Sequence, residues 1–431
     1  MAAVQDRHRG GLLRFATAGS VDDGKSTLIG RLLYDSKSLL ADHVTAIEAA
    51  SKRRGLVDVD LSLLTDGLIA EREQGITIDV AYRYFATPAR KFIIADSPGH
   101  AQYTRNMVTA ASTADVAVLL VDARNGLQAQ TRRHAYLSNW VGIRRIVLAV
   151  NKMDLVGWSR DRFAAIVADF DRFAQGLGFI EIVAIPLSAL HGDMVVDRGD
   201  ALNWYEGPTL LEYLETAPSQ HDDQRAGAFR LPVQRVVRVP RGQAQPGSAF
   251  GDREFRGYQG TVASGRIAVG DEVAVLPSGL TARIAELFVA DRPVRSALAD
   301  QAITLSLDHD LDISRGDLFV APDAKPALAR TVEAEVCWFD AEPLAVGRPY
   351  RIKHATQTVK ANFAAPEHRV DVETLALVAA PGTLSMNDIG RVRINTQRPL
   401  PFERYGQNRS TGSFIVIDEV SNRTVAAGTV V

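Results

Sequence analysis

An α/β domain followed by two all-β domains is the architecture this sequence predicts, and three observations carry it. Through about residue 215, apolar runs alternate with stretches of helical periodicity, the pattern of a mostly parallel sheet with helices on its faces. From Phe229 onward, short strand patterns follow one another with few helical windows between them, as in all-β barrels and sandwiches. A glycine-containing run, Gly19-Ser20-Val21-Asp22-Asp23-Gly24-Lys25-Ser26, sits between the first apolar segment and the first helical one.

The elements follow in order. A strand is expected over Leu12–Ala18, and a helix starts around Thr27. Residues 92–95, 116–121 and 146–150 are continuous apolar runs, which suits strands covered on both faces. A further apolar run spans residues 182–186, and the polar stretch 217–228 reads as a linker. Strands are then expected over 231–239, 260–267, 271–276 and 331–338, with glycine turns at Gly270 and Gly279. Residues 240–250, rich in Pro, Gly, Gln, Ser and Ala, read as an excursion between strands. Pro322 and Pro326 mark a break between two β domains, because proline cannot donate to a central ladder. The domains expected are residues 1–225, 228–325 and 328–431.

Composition narrows the class. At 431 residues the chain exceeds one core and should hold roughly three domains. A formal net charge of -2 provides no global basic field, so nucleic acid is not an expected partner. No apolar run approaches the roughly 20 residues of a membrane span, so no membrane is expected either. The polar first 11 residues lack the apolar core of a secretory signal. The one cysteine, Cys337, stands in a strand-like setting and reads as a buried core thiol; with no disulfide to form, a reducing cytoplasmic location is expected.

The chemistry lies in the order of five motifs. The run from Gly19 to Ser26 matches G-x-x-x-x-G-K-[ST] at every fixed position, in strand-then-helix context. Backbone N–H groups along Gly19, Ser20, Val21, Asp22, Asp23, Gly24, Lys25, Ser26 and Thr27 would form an anion-binding concavity backed by the helix N-terminus. Lys25 would reach the β- and γ-phosphates, and Ser26 would place its hydroxyl on Mg²⁺. Asp96-Ser97-Pro98-Gly99 ends an apolar strand; Asp96 would hold Mg²⁺ through water and Gly99 would let the backbone approach the γ-phosphate. Between these motifs, Thr77 of Gln74-Gly75-Ile76-Thr77-Ile78 is placed to reach Mg²⁺ and γ-phosphate as a switch residue.

Asn151-Lys152-Met153-Asp154 follows another apolar strand. The Asp154 carboxylate can accept hydrogen bonds from guanine N1–H and N2–H₂, a donor pair that adenine lacks. Lys152 would lay its stem on the base face, and Asn151 would tie this loop to the phosphate loop. Backbone N–H groups of Ser188-Ala189-Leu190 would meet guanine O6. Together these motifs turn a phosphate site into a GTP site. His100, directly after Gly99, could orient the attacking water by positioning and electrostatics.

This order, followed by two β domains, resembles the translational GTPase superfamily of elongation factor Tu, and residues 256–266 resemble the start of that superfamily's second domain. The resemblance implies an α/β P-loop GTPase domain followed by two all-β barrel domains. Ser20 and Asp23 stand where elongation factors typically carry His, and His or Ser. These residues, with Asp66-Gly67-Leu68, the run 71–85, the run 91–96 and Asp312-Ile313-Ser314-Arg315-Gly316-Asp317, look like the GTP-hydrolysing subunits of bacterial sulfate adenylyltransferases. That family implies GTP hydrolysis driving the formation of adenylyl sulfate and pyrophosphate from ATP and sulfate. It also implies a smaller adenylyl-transferring partner in a heterodimer. The sequence agrees by omission, since it holds no second phosphate loop and no H-x-G-H signature. The family usually has Thr at Ser97 and Gly at Ala110, and some relatives carry a fused adenylylsulfate kinase domain. Residues 35–71 are the expected place for partner contacts, and the switch segments around Thr77 and from Asp96 to Tyr103 the expected coupling elements. A translation factor carrying aminoacyl-tRNA and a regulatory GTP switch remain the alternative readings.

Overall fold

The computed structural model describes residues 11–37, 61, 79–100, 103–200, 202–219, 225–242, 254–290 and 292–431. Thr77, the motif around it and most of residues 35–71 lie outside the described residues. The chain divides into two compact units, one of Met1–Ser219 with Asp371–Ala376 and one of Gln220–Val370 with Leu377–Val431.

The first unit is built on a sheet of β1 (Leu12–Ala18), β2 (Ala81–Ala86), β3 (Lys91–Asp96), β4 (Val116–Asp122), β5 (Arg145–Asn151) and β6 (Glu181–Pro186). Their order is β2-β3-β1-β4-β5-β6; β2 runs antiparallel to β3 and the other pairings are parallel. All seven residues of β4 are buried, the signature of a strand roofed on both faces. Edge strand β2 alternates instead, with Tyr82 and Tyr84 exposed. The helices are α1 (Lys25–Asp35), α2 (Thr104–Ala111), α3 (Ala129–Trp140), α4 (Arg160–Ala174) and α5 (Leu210–Thr216). Leu28, Ile29 and Leu32 of α1 pack with Phe15, Phe92 and Ile94 in one core. Capping sets the later helix starts: the Arg162 N–H donates to Ser159 Oγ, and Thr209 and Glu212 form a reciprocal capping box. The short α5 depends on such local satisfaction, since seven residues barely exceed a helical nucleus.

The named elements of the second unit are strands. One eight-stranded sheet collects strands from Arg230–Pro232 to Leu318–Val320 around a core of Leu231, Tyr258, Val273, Leu305 and Phe319. In the other sheet, Leu328–Trp338 pairs with Thr424–Val430 on one side and Ile389–Pro401 on the other. Those pairings close a ring through Ser413–Ile417, Pro349–His354 and Gln357–Phe363, a barrel with a core of its own. Cys337 is fully buried, as the sequence suggests, but it stands on the strand face opposite Ala334, Val336 and Trp338, which belong to that core. Among the described residues, no helix is long and apolar enough to cross a membrane.

Two strands expected whole are broken. The 231–239 segment divides into Arg230–Pro232 and Arg235–Val239. Its chain crosses between neighbours there, with Val233 N–H donating to the Asp317 carbonyl and Gln234 N–H to Gln259. The 260–267 segment divides into the end of Phe255–Thr261 and the start of Arg266–Ala268. Gly265 turns the chain at φ +75, and a Cβ there would lie 2.6 Å from the Phe229 nitrogen.

Arg230 is 3% exposed and anchors the second unit. Its guanidinium donates to both Glu403 oxygens, at 3.1 and 2.9 Å, and to the carbonyls of Phe229 and Ala324. Thr411 Oγ1 also donates to Glu403. Removing one member of such a buried pair strands the other. Arg230→Ala should therefore destabilise this unit by about 3 kcal/mol, read as a lowered urea midpoint of the β-rich transition.

Candidate functional site

The parallel strands deliver their carboxyl ends to one edge: Thr17 lies in register with Asp96, Asp122 with Asn151, and Val150 with Pro186. Because β1 lies between β3 and β4, the chain winds in opposite directions from it, and open α/β sheets bind ligands outside the strand ends at such a reversal.

The loop between β1 and α1 is shaped by left-handed backbone at Asp22 (φ 70) and Gly24 (φ 88). Glycine is required twice over at position 24, since a Cβ would stand 2.4 Å from Asn151 Nδ2. The Ser20 N–H donates to Asp23 Oδ2 at 2.7 Å, and the Asp23 N–H to the Ser20 carbonyl, which closes the loop on itself. Gly24 gives α1 no side-chain cap, in contrast to α4 and α5, so the first-turn N–H groups suit an anion.

Lys25 and Asp96 form an ion pair in which both side chains are buried. Gly99 comes against the same loop: a Cβ on it would lie 2.5 Å from the Gly19 carbonyl oxygen. Ser97 Oγ donates to the Thr17 carbonyl at 2.7 Å, a bond that a threonine hydroxyl could also make, and Ala110 is fully buried in α2. His100 is exposed, its ring edge-on to Tyr103 at 6.3 Å.

Asn151 joins three loops. Its Nδ2 donates to the Asp23 carbonyl at 2.7 Å, and its Oδ1 accepts from the Ala189 N–H at 2.9 Å. Lys152, left-handed at φ 62, turns its ammonium onto the Asp22 carbonyl and to 3.0 Å from Asp122 Oδ2. Asp154 stands in the short 3-10 turn Met153–Val156, with His191 Nε2 3.8 Å from its carboxylate. Ser188 and Ala189 are buried, whereas Leu190 is exposed. The Ser188 N–H donates to the Asp193 carbonyl. Hence two of the N–H groups expected to face a base edge are engaged inside the protein.

Sequence reasoning misses three participants. Asp122 ends β4 and accepts from Arg124 Nε at 3.0 Å and Nη2 at 2.6 Å, besides the contact from Lys152. Burial opposes its ionised form, yet the hydrogen bonds from Arg124 and Lys152 outweigh burial and hold its carboxyl below the usual range. Its signal was available, because it ends an apolar strand as Asp96 and Asn151 do. Arg31 of α1 donates to the carbonyls of Ala189, at 3.3 Å, and Leu190; nothing local marks a contact made so far along the chain. Arg162 of α4 donates to the Ala123 and Arg124 carbonyls and so supports the turn beneath Asp122.

Residues 11–219 match the model of the elongation factor Tu GTP binding domain, and residues 331–431 that of the GTP-eEF1A C-terminal domain-like family. The chain is 50% identical over 421 residues to sulfate adenylyltransferase subunit 1 of Methylorubrum populi, covering 97% of this chain and 87% of that protein. It is 52% identical over 420 residues to the bifunctional enzyme CysN/CysC of Mycobacterium tuberculosis, covering 97% of this chain and 67% of that one. It is also 48% identical over 419 residues to the bifunctional enzyme NodQ of Rhizobium sp. strain N33, of which it spans 63%.

Asp23 titrates unusually. Burial, opposed by the Ser20 N–H and reinforced by the Asp122 charge, pushes its carboxyl up to about 6. An acid whose folded pKa is raised binds more protons folded than unfolded, so its contribution to stability falls as pH rises from about 4 to about 6 and is flat above. Asp23→Asn, which keeps an acceptor for Ser20, should stabilise the first unit by about 2 kcal/mol at pH 7.5 and by less at pH 4.5. Urea midpoints of both proteins across that range measure the difference.

Proposed function

The chain belongs to the sulfate adenylyltransferase subunit 1 family, and from that premise we propose that it binds GTP at the loops joined by Asn151 and hydrolyses it to drive adenylyl sulfate formation. The observation that carries the GTP reading is the pair of hydrogen bonds made by the Asn151 amide, which fixes the loop bearing Lys25 against the loops bearing Asp154 and Ala189. Phosphate recognition and base recognition then share one rigid frame.

In this reading Asp154 accepts from guanine N1–H and N2–H₂, and an adenine would leave that carboxylate unpaired. The Lys152 stem supports the base, its ammonium held by Asp122. Phosphates lie over the loop from Gly19 to Thr27, in which the Ser20 and Asp23 N–H groups are already engaged by the loop itself. Lys25 turns from Asp96 to the β- and γ-phosphates, and Gly99 brings backbone to the γ-phosphate. His100 orients the water that attacks the γ-phosphorus as the bond to the β–γ bridging oxygen breaks, giving GDP and phosphate. Thr77 is the switch residue proposed to contact the γ-phosphate.

A magnesium ion fits the donors present. Among the described residues no group of three or more His, Cys, Asp or Glu could hold a metal alone. The Ser26 hydroxyl, Asp96 and Thr77 are oxygen donors that suit an ion taking its remaining ligands from phosphates and water. When bound, the ion would neutralise charge on the phosphates.

The adenylyl transfer from ATP to sulfate is assigned to a smaller partner subunit, consistent with one phosphate loop and no H-x-G-H run in this chain. We take residues 1–225 as the GTP-binding domain, with β domains over 228–325 and 328–431, in a cytoplasmic heterodimer.

The test measures adenylyl sulfate made from ATP and sulfate by the chain alone, by the smaller subunit alone, and by both, with and without GTP. Product that rises with GTP only in the mixture is expected; product independent of GTP would defeat the coupling, and stimulation by ribosomes would favour the translation reading. Asp154→Asn should exchange guanine for xanthine, losing about 100-fold in GTP affinity while gaining affinity for XTP. Labelled-nucleotide titration reads both, and unaltered GTP selectivity would remove Asp154 from the base site.

A further inference from the structure

Gln130, half-buried near the start of α3, links the loop after β3 to a buried histidine. Its Nε2 lies 2.9 Å from the Gly99 carbonyl oxygen and 3.1 Å from His134 Nε2, one helical turn on. A carbonyl can only accept, so the amide must present its NH₂ to Gly99. The second N–H of that group then meets His134 Nε2, which must accept, leaving the proton on Nδ1. Burial, with the Arg133 and Lys25 charges nearby, pushes the His134 pKa down to about 3, in keeping with a neutral ring. Nδ1 is buried and has no hydrogen-bond partner among the described residues. An orphaned buried donor calls for an explanation, and the acceptor that His134 turns toward Gln130 supplies one.

The Gly99 carbonyl and the His100 N–H belong to one planar peptide unit. Gly99 has no side chain to restrict it, and on its other side the Gly19 carbonyl leaves no room for a Cβ. Fixing the Gly99 oxygen therefore fixes the plane from which His100 departs. We propose that Gln130 is a positioning residue for His100, holding the Gly99–His100 peptide through its amide, and that His134 orients that amide. This role rests on the catalytic reading of His100 made above.

Single-turnover GTP hydrolysis by the 431-residue chain tests it, with wild type, Gln130→Leu, Gln130→Glu, His100→Ala and the Gln130→Leu/His100→Ala pair. Gln130→Leu should slow hydrolysis roughly 10-fold or more, with GDP affinity unchanged. Gln130→Glu keeps the size but turns an acceptor toward the carbonyl, and should lose as much at an unchanged melting temperature, which separates positioning from packing. The double variant should be no slower than His100→Ala, because the two residues act through one group. A normal rate in Gln130→Leu, or losses that multiply in the double variant, would overturn the role of Gln130. A full rate in His100→Ala would instead overturn the catalytic reading of His100 and this inference with it.

Discussion

The site depends on one side chain reaching in two directions. Asn151 ends β5, and its amide both donates to the phosphate-loop backbone and accepts from Ala189. Three loops distant in sequence are thereby set at hydrogen-bond precision, and the space for this amide exists because residue 24 has no Cβ. The sheet order places the loops side by side, but adjacency alone would leave each free to move. A carboxamide suits such a junction because it carries donor and acceptor on one rigid plane and no charge to desolvate.

Charge at this edge is handled by pairing. Lys25 faces Asp96, and Asp122 takes both Arg124 and Lys152. Each buried ion thus has a partner, as low-dielectric surroundings require. Asp23 is the contrast. It accepts from the Ser20 backbone, but burial and the neighbouring Asp122 charge dominate its environment. The side chain that shapes the phosphate loop is therefore held there at a cost in ionisation.

What was legible in the sequence was what is local. The runs that became β1, β3, β4 and β5 are nearly continuous apolar stretches, and their periodicity needs no tertiary information. The glycines and the Asn151 loop could be placed because their chemistry follows directly from their neighbours in the chain. Strand breaks at Gln234 and Gly265 could not be read, since they arise from which strand lies alongside. Arg31 and Gln130 are the plainest cases. Each is an ordinary polar residue on a helix, and each acquires its role from a backbone carbonyl far away in sequence. Asp122 falls between: its position at a strand end was visible, its two cations were not.

Arg31 has a consequence for molecules smaller than a whole nucleotide. Its guanidinium ties the helix that begins at Lys25 to the carbonyls of Ala189 and Leu190, so the loops proposed above to hold phosphate and base form one frame. A ligand that fills one half finds the other already at the right distance, and the second contact forms intramolecularly at high effective concentration. Pyrophosphate or guanosine alone gains none of this advantage. The linked molecule should bind far more tightly than the fragments do separately, because the protein has met the ordering cost while folding.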